Sequence, residues 1–372
     1  MKILLIILAV VAVIAITAFL VLRHPAFGRR MSAERKARIE ASPNYRDGMF
    51  RNEEPTPQFT GDKSPIAMLW DFIAHRPKDR MPKEPLPTVK TDLKSLPTDR
   101  DWLIWFGHSS YLFCLNGKRY LVDPLLKMEF PVSVMMKPFA GTDIYTPDDM
   151  PDIDVLIITH EHWDHLDYAT LRDLREKVKH AVCPLGVAEY LEYWHYDKSA
   201  ITEMDWGESL TGTESSCLTA KRSNSVNGLT GEADLKVTCL PTRHFSNRLL
   251  GGRNQTLWAA FMVEDGGRKV YIGGDGGYDG RFKRVREQFG QIDLAFLENG
   301  QYNDDWKYIH TTPECLEQAI LDLNAKAVFT VHHDKFALAK HPWSEPDSVA
   351  RSIAQRHDIR LLDQPIGTVV EF

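Results

Sequence analysis

The stretch Asp154-Val-Leu-Ile-Ile-Thr-His-Glu-His-Trp-Asp-His-Leu-Asp167 decides the fold of this chain. Near its start, residues 155–158 form an unbroken apolar run, which is typical of a strand buried on both faces. Downstream, Leu171, Leu174 and Val178 recur at helical spacing and predict a helix. The polar second half of the stretch is therefore expected in a loop between a buried strand and a helix.

Four side chains that can bind a metal ion are crowded into this loop, namely His160, His162, Asp164 and His165. Imidazole and carboxylate groups together suit a borderline divalent ion such as zinc. His160 and His162 lie two residues apart and can converge on one ion, whereas Asp164 and His165 lie on the next bend. The spacing predicts two adjacent metal ions. A single loop histidine is usually only solvated or hydrogen-bonded, but four such residues in six positions argue against that explanation.

The His-x-His-x-Asp-His pattern of residues 160–165 resembles the signature of the metallo-β-lactamase superfamily. A longer set of motifs resembles that superfamily's N-acyl-phosphatidylethanolamine phospholipase D branch. The resemblance implies an α/β fold of the metallo-β-lactamase type, an αββα sandwich in which two mixed sheets carry helices on their outer faces. It runs over residues 102–372, with breaks at residues 127–152 and 209–234.

The resemblance also implies the rest of a metal site. Residues 241–248 are similar to the branch pattern Pro-x-x-His-x-Ser-x-Arg, which makes His244 the third histidine on the first metal. Asp275 lies among glycines, where one carboxylate can bridge both ions. His332 ends an alternating strand-like run and is implied to be the last ligand of the second metal. His310 lies in a branch motif whose histidine faces the reacting group rather than a metal.

Two residues near the start of the domain are implied to support the metal ligands. His108 lies in a Gly-His-Ser motif and Asp123 in a Val-Asp-Pro motif, and both would orient ligands through hydrogen bonds. The alternative is that each is only a capping or turn residue. The chain departs from the branch at Gly276, where threonine is common, and at residues 333–335, where Trp-Gly-Thr is usual. These departures bear on substrate preference.

Residues 3–22 are apolar and uncharged, and a helix of this length, at about 1.5 Å per residue, matches a hydrocarbon core of about 30 Å. The alternative is a cleaved secretory signal, which Lys2 favours. However, the apolar run is longer than a usual signal core, and no clear Ala-x-Ala site follows it. We therefore expect residues 1–30 to form an uncleaved membrane anchor. Basic residues after the helix favour a cytoplasmic body, although they are equally suited to anionic headgroups or to solvent.

Residues 31–99 are polar and rich in proline, and they predict an extended arm with one short amphipathic helix between Pro65 and Pro77. The arm is either a flexible tether or a lip of the substrate pocket. The hydrolase domain is expected over residues 100–372, where two strand-like runs flank a hairpin turn at Asn116-Gly117.

The segment 127–152 has no counterpart in the branch, and it contains an apolar patch that includes Met128, Phe130, Met135 and Met136. Most such clusters belong to a protein core. Thioether side chains also fit irregular apolar shapes, so the patch is alternatively a place for an acyl chain.

Composition excludes several classes of protein. The five cysteines are odd in number and scattered, so neither a disulfide framework nor a thiolate zinc site is indicated. The net charge is −6, and because the first 30 residues carry four basic and no acidic side chains, the remainder has a net charge of −10. Since a nuclease needs a basic track for the phosphate backbone, we expect no nucleic-acid partner.

The predicted function is therefore that of a zinc-dependent hydrolase with two Zn²⁺ ions and a bridging hydroxide, acting as a phosphodiesterase on a phospholipid of the membrane that anchors it. The predicted metal ligands are His160, His162 and His244 for the first ion, Asp164, His165 and His332 for the second, and Asp275 between them. Asp164 and His310 are the predicted catalytic residues, with His310 as an electrostatic or acid partner of the leaving group. The alternatives are a lactonase of the same superfamily and a non-catalytic membrane-tethered binding module. The sequence leaves open the choice among zinc, iron and manganese, the acyl chain and headgroup, and the oligomeric state.

Overall fold

The computed structural model describes residues 2–61, 64, 67, 70–71, 74–75, 77–212, 235–248 and 252–372. Most of the amphipathic helix predicted between Pro65 and Pro77 lies outside the described residues, and so does Cys217. Within the described part of the chain, one helix is long and apolar enough to span a membrane, α1 (Lys2–Leu22), and none of its residues is buried.

A seven-stranded mixed sheet forms one half of the domain. Its strands lie in the order β15 (Val369–Glu371), β3 (Trp102–Trp105), β4 (Tyr111–Leu115), β5 (Lys118–Val122), β6 (Ile153–Ile157), β7 (Val178–Pro184) and β8 (Ile201–Met204). The strands from β15 to β5 pair antiparallel, and those from β5 to β8 pair parallel. The predicted hairpin is confirmed, because Asn116 and Gly117 connect β4 to β5 with left-handed φ angles of 50° and 82°.

A six-stranded mixed sheet packs against the first. Its order is β14 (Ala327–Val331), β13 (Leu294–Glu298), β12 (Arg268–Ile272), β11 (Ala260–Asp265), β10 (Lys236–Leu240) and β9 (Ser209–Thr211). Strands β12, β13 and β14 run parallel, and the others pair antiparallel.

Helices cover the outer face of each sheet. Those on the seven-stranded sheet are α4 (Tyr168–Leu174) and α5 (Ala188–Tyr193), and those on the six-stranded sheet are α6 (Arg281–Phe289), α7 (Pro313–Leu323) and α8 (Glu345–His357). Two further helices are α2 (Ala33–Glu40) in the arm and α3 (Val132–Met135) in the segment that has no counterpart in the branch. The predicted αββα sandwich is confirmed.

The apolar run before the metal loop serves two cores at once. Val155 and Ile157 of β6 point into the core between the sheets, whereas Leu156 and Ile158 point into the core under the helices, and all four are fully buried. Burying each such side chain contributes about 1.5–3 kcal/mol. The helical prediction was wrong at Val178, which begins β7 because its backbone pairs in parallel register with β6.

The arm packs against the domain through ion pairs and hydrogen bonds. Arg35 of α2 is buried among three carboxylates, those of Glu189, Glu192 and Glu203. Further along the arm, strands β1 (Tyr45–Arg46) and β2 (Met49–Phe50) form a short hairpin, and Phe50 is fully buried. The division of the chain at residues 30 and 99 stays a prediction.

A buried ion pair joins the two sheets, and we expect Asp265→Asn to weaken the fold. Asp265 of β11 accepts hydrogen bonds from Lys118 Nζ at 3.0 Å and from Tyr120 Oη at 2.7 Å, both on β5. The substitution leaves a buried ammonium without its counter-charge, so the free energy of unfolding should fall by about 3 kcal/mol in urea denaturation of the full chain in detergent. The control is Glu264→Gln, which removes a partly exposed ion pair with Lys269. It should change the free energy of unfolding by less than about 1 kcal/mol. Equal effects of the two substitutions would contradict the prediction.

Candidate metal centre

One edge of the sandwich gathers the polar loops, because strands β6, β10, β12 and β14 all end there. The structure brings together at this edge all seven side chains predicted as metal ligands: His160, His162, Asp164, His165, His244, Asp275 and His332. They come from four segments that are far apart in the sequence. The buried strands thus aim several short loops at one point.

Three imidazoles form the first cluster. His162 Nδ1 lies 2.9 Å from His160 Nε2 and 3.2 Å from His244 Nε2. Three nitrogens held by one tetrahedral zinc ion would lie about 3.4 Å apart. The donor atoms are therefore already close to the spacing that one ion requires.

The second cluster contains two imidazoles and two carboxylates. Asp275 Oδ2 lies 3.2 Å from His165 Nε2 and 3.3 Å from His332 Nε2. The Oδ2 atom of Asp164 lies 3.7 Å from the same His165 nitrogen. Asp275 Oδ2 is also 3.9 Å from the Nε2 atoms of both His160 and His244. This one oxygen is within 4 Å of donor atoms from both clusters.

Three of these histidines have a second ring nitrogen that is held by a neighbour. His244 Nδ1 donates to the backbone oxygen of Ile309 at 2.8 Å, and His332 Nδ1 lies 2.8 Å from Ser109 Oγ. His165 Nδ1 lies 2.8 Å from Asp123 Oδ2. Such bonds fix the tautomer and the ring orientation, leaving the other nitrogen free to bind a metal.

Asp123 also holds the metal loop itself, because its carboxylate accepts hydrogen bonds from Thr159 N at 2.8 Å and Thr159 Oγ1 at 2.6 Å. His108 contacts a predicted ligand directly, with its Nε2 atom 2.8 Å from Asp164 Oδ2. Both supporting residues, like His332, have left-handed backbone φ angles, of 40°, 53° and 75° for Asp123, His108 and His332. Strained non-glycine backbone of this kind clusters at functional sites.

The first-cluster rings and His332 are neutral near pH 7. Burial holds the pKa values of His160, His244 and His332 well below their ordinary range, and repulsion from neighbouring imidazoles lowers them further. Burial also lowers the pKa of His162 to about 3. Each of these rings therefore offers a lone pair to a metal.

His165 shows where a cation belongs. Burial lowers the pKa of this histidine, but the charges of Asp275, Asp164 and Asp123 outweigh burial and leave the pKa well above its ordinary value. Its buried Nε2 has no well-aligned hydrogen-bond partner among the described residues. The site therefore stabilises a positive charge between His165 and the carboxylates, and a divalent cation would take the place of that proton. The residues present fit a metal centre.

We expect two divalent ions per chain, one of which is released on acidification. Imidazole ligands must be neutral to bind a metal, and because the pKa of His165 is raised, protons compete for this ligand as the pH is lowered from about 7 to about 5. The rings of the first cluster stay neutral over this range because their pKa values lie well below the ordinary value. Elemental analysis after dialysis at each pH measures the stoichiometry. Retention of both ions at the lower pH, or fewer than two at neutral pH after reconstitution with zinc, would contradict this prediction.

His310 lies beside the two clusters. Its ring stacks on that of His332 at 5.3 Å between centroids, and its donor atom lies within 4.8 Å of donor atoms of His244 and Asp275. His310 Nδ1 is 2.9 Å from Glu298 Oε1. Burial lowers the pKa of His310, but the charge of Glu298 and this hydrogen bond outweigh burial and leave the pKa above its ordinary value.

Several supporting residues carry no sequence signal. Glu298 ends β13 and also accepts from the backbone nitrogens of Gly276 and Thr311. Asn52 of the arm bonds both the backbone nitrogen and the backbone oxygen of His244, at 3.2 and 2.8 Å. A buried glutamate at a strand end is visible in the sequence only as one acid among many, and an arm residue gives no sign of its distant contact. Ser109, in contrast, lies inside the Gly-His-Ser motif that also contains His108.

Asp123→Asn is expected to weaken metal binding by about tenfold to 100-fold, because substitution of groups that orient metal ligands has effects of this size. Thr159 and His165 use both carboxylate oxygens of Asp123. Asparagine has an NH₂ group in place of one of these oxygens, and this group cannot accept a hydrogen bond, so at least one of the bonds is lost. Competition with a chromogenic chelator measures the affinity, and Asp322→Asn, on helix α7, is the control. An unchanged affinity would show that Asp123 only shapes its turn.

Comparisons with known proteins agree with this geometry. Residues 118–333 match the family described as the β-lactamase superfamily domain. The Mycobacterium tuberculosis protein Rv0906, which is uncharacterised, is 34% identical over 325 residues, covering 85% of this chain and 80% of that protein. The N-acyl-phosphatidylethanolamine-hydrolyzing phospholipase D 1 of Caenorhabditis elegans is 30% identical over 224 residues, which are 56% of this chain and 57% of that relative.

Among solved structures, Igni18, a metallo hydrolase from Ignicoccus hospitalis, superposes with a TM-score of 0.52 at 17% identity, over 73% of this chain and 98% of that one. At this identity the likeness shows the fold alone. The family match, in contrast, covers more than half of the chain and includes the metal loop. The chain therefore belongs to the metallo-β-lactamase superfamily, as a metal-dependent hydrolase with relatives among the N-acyl-phosphatidylethanolamine-hydrolyzing phospholipases D.

Proposed function

We propose that this protein is a membrane-anchored phosphodiesterase that cleaves the headgroup side of a phospholipid in the manner of a phospholipase D. The observation that carries the proposal is the position of Asp275 Oδ2, within 4 Å of donor atoms from both histidine clusters. That position suits a carboxylate shared by two ions. A pair of ions lowers the pKa of a bound water to near 7 and stabilises charge on both the attacking and the leaving oxygen of a phosphodiester.

The chain's own residues would hold and orient the reactants. His160, His162 and His244 form one set of donors, and their three imidazole nitrogens favour zinc in this position. Asp164, His165 and His332 form the second set, and Asp275 belongs to both. Asp164, whose other neighbour is His108 Nε2 at 2.8 Å, is fixed where it can also align the attacking water.

His310 would serve the leaving group. Its Nδ1 is committed to Glu298, so its Nε2 is the nitrogen left to interact with a substrate. The side chain is 14% exposed, whereas those of His160, His165, His244 and His332 are at most 1% exposed. A protonated imidazole in this place can donate its proton to the departing oxygen.

Two observations support a phospholipid substrate. Helix α1 would place the domain at a membrane surface, with the basic residues after it favouring the cytoplasmic side. The C. elegans relative is named for hydrolysis of N-acyl-phosphatidylethanolamine, although the chain spans only 57% of that protein. Together they favour a lipid phosphodiester over a soluble one.

The test is hydrolysis by the full chain, purified in detergent and loaded with zinc. N-acyl-phosphatidylethanolamine in mixed micelles should yield phosphatidic acid and an N-acylethanolamine, detected by mass spectrometry, and bis(p-nitrophenyl) phosphate should yield p-nitrophenol. A simple lactone is included in the same panel. Turnover of the lactone alone, or of none of these substrates by protein carrying two ions, would overturn the proposal.

A further inference from the structure

The segment directly after helix α1, residues 23–27, here called the root of α1, is fixed to the domain. Immediately after the helix, the backbone oxygen of Pro25 accepts a hydrogen bond from Trp194 Nε1 at 2.9 Å, and that of Ala26 accepts one from Arg248 Nε at 2.9 Å. The ring of Phe27 contacts the ring of Trp163, with 5.1 Å between centroids. The point at which the chain leaves a bilayer is thus held against one face of the domain. Side chains on that face would lie at the level of the membrane surface of a bilayer that α1 spans.

That root is also tied to the metal loop. Arg248 is buried, its guanidinium lies 3.8 Å from the centroid of the Trp163 ring, and its Nη1 donates to the backbone oxygen of Glu161 at 2.8 Å. Trp163 lies between two of the predicted metal ligands in the sequence. The membrane end of α1 and the metal centre therefore share one side of the molecule.

An exposed apolar patch lies next to this root. The ring of His24 meets the edge of the Phe130 ring at 5.4 Å and that of Tyr168 at 5.7 Å. Phe130 is 40% exposed, and on α3 Val134 and Met135 are 77% and 55% exposed. Among the described residues between 100 and 372, four large hydrophobic side chains are exposed. Three of them form this patch, and the fourth is Leu321 on helix α7, which covers the six-stranded sheet.

The opposite side of α3 packs toward the candidate metal centre. Val132 and Met136 are buried against Phe336, and the ring of Phe336 lies 5.1 Å from that of His108. His108 in turn contacts Asp164. Apolar side chains thus continue from the exposed patch to the edge of the metal centre.

We infer that Phe130, Val134 and Met135 form a second membrane contact, inserted into the headgroup and acyl boundary of the bilayer that α1 spans. Burial of apolar side chains at this depth is favourable, and the exposed Arg23, which precedes His24 in the sequence, suits anionic headgroups. Two contacts would hold the domain in one orientation, with the metal centre directed toward the lipid surface. This inference rests on the membrane placement proposed above but not on the reaction.

The direct test places a polarity-sensitive NBD label at position 134 or 321. Val134→Cys and, as the matched control, Leu321→Cys are made in the full chain with Cys217 and Cys315 replaced by serine, and each protein is reconstituted into nanodiscs of phosphatidylcholine and phosphatidylglycerol. We expect emission from position 134 to shift to shorter wavelength and to be quenched by lipids brominated on their acyl chains, with neither effect at position 321. An unshifted spectrum at position 134 overturns the inference. A shift without bromolipid quenching also overturns it, because a protein contact, such as a second copy of the chain, would then cover the patch.

A second test separates this inference from the proposed reaction. Val134→Asp combined with Met135→Asp should lower turnover of a phospholipid in vesicles by at least about tenfold, because two apolar contacts with the bilayer are lost. Turnover of bis(p-nitrophenyl) phosphate should be unchanged, and Leu321→Asp should affect neither. Equal loss on both substrates would overturn the inference. Absence of turnover in the parent protein would instead overturn the phosphodiesterase proposal and leave the label experiment decisive for the membrane contact.

Discussion

Asp275→Asn is expected to lower phosphodiester hydrolysis by at least about 1,000-fold and to reduce the metal content of the purified protein. In the proposed reaction, bound metal would lower the pKa of a water molecule from about 15.7 to about 7, and two ions together would stabilise both the attacking and the leaving oxygen. Asp275 Oδ2 lies 3.2 and 3.3 Å from the nitrogens of His165 and His332 and 3.9 Å from those of His160 and His244. An amide keeps the size of the side chain but removes the charge shared by both clusters.

The control for Asp275→Asn is the substitution of another buried aspartate. Asp265→Asn removes a charge that joins the two sheets, so it should cost stability while leaving two ions bound and the rate per folded molecule unchanged. Elemental analysis and initial rates on bis(p-nitrophenyl) phosphate are measured for both variants. If Asp275→Asn kept both ions and more than about a tenth of the parent rate, Asp275 would not be a shared ligand.

Metal ions should also stabilise the fold, which gives a readout that is independent of turnover. In the metal-free chain, burial keeps His160, His244 and His332 neutral in the folded state, whereas the unfolded chain takes up protons on these residues below about pH 6.5. The unfolded state therefore binds more protons, and stability falls as the pH is lowered through that range. Bound ions oppose the effect by binding only the folded arrangement.

The structure around the metal loop was predictable because the local sequence pattern there agrees with the packing against distant parts of the chain. Residues 155–158 are apolar without interruption because this stretch faces a core on each side, and the predicted ligands that follow must lie at the strand's end. Val178 shows where local reasoning fails. Its spacing from Leu174 is helical, yet parallel pairing with β6 makes it the first residue of β7. Propensity within a short window does not register a partner strand 25 residues away.

The supporting residues show a second limit of prediction from the sequence. Asp123 and His108 were identifiable through motifs, whereas Glu298 and Asn52 were not. Glu298 reaches His310 because β13 lies between β12 and β14 in the sheet. Asn52 reaches His244 because the arm packs back across 192 positions of sequence. Both contacts depend on the order of strands and the path of the arm, which no local pattern encodes.

His310→Gln is expected to slow turnover by about 10²-fold to 10⁴-fold on a diester with an alkoxide leaving group, because a general acid contributes an effect of this size. The same substitution should have little effect on bis(p-nitrophenyl) phosphate, since p-nitrophenolate departs without being protonated. The contrast between the two substrates tests the role, because a merely structural defect would slow both reactions alike. Metal content should equal that of the parent protein.

The pH dependence of the reaction gives a second criterion for His310. Burial lowers its pKa, but the charge and hydrogen bond of Glu298 prevail and place the pKa above the ordinary value, so the ring keeps its proton to a higher pH than an ordinary histidine does. As the pH rises through that pKa, the acid is lost and the rate on the alkoxide substrate should fall. Glutamine cannot titrate, so His310→Gln should remove this alkaline decline. A variant with the full decline would assign the titration to another group, and His310 would then act only by positioning its neighbours.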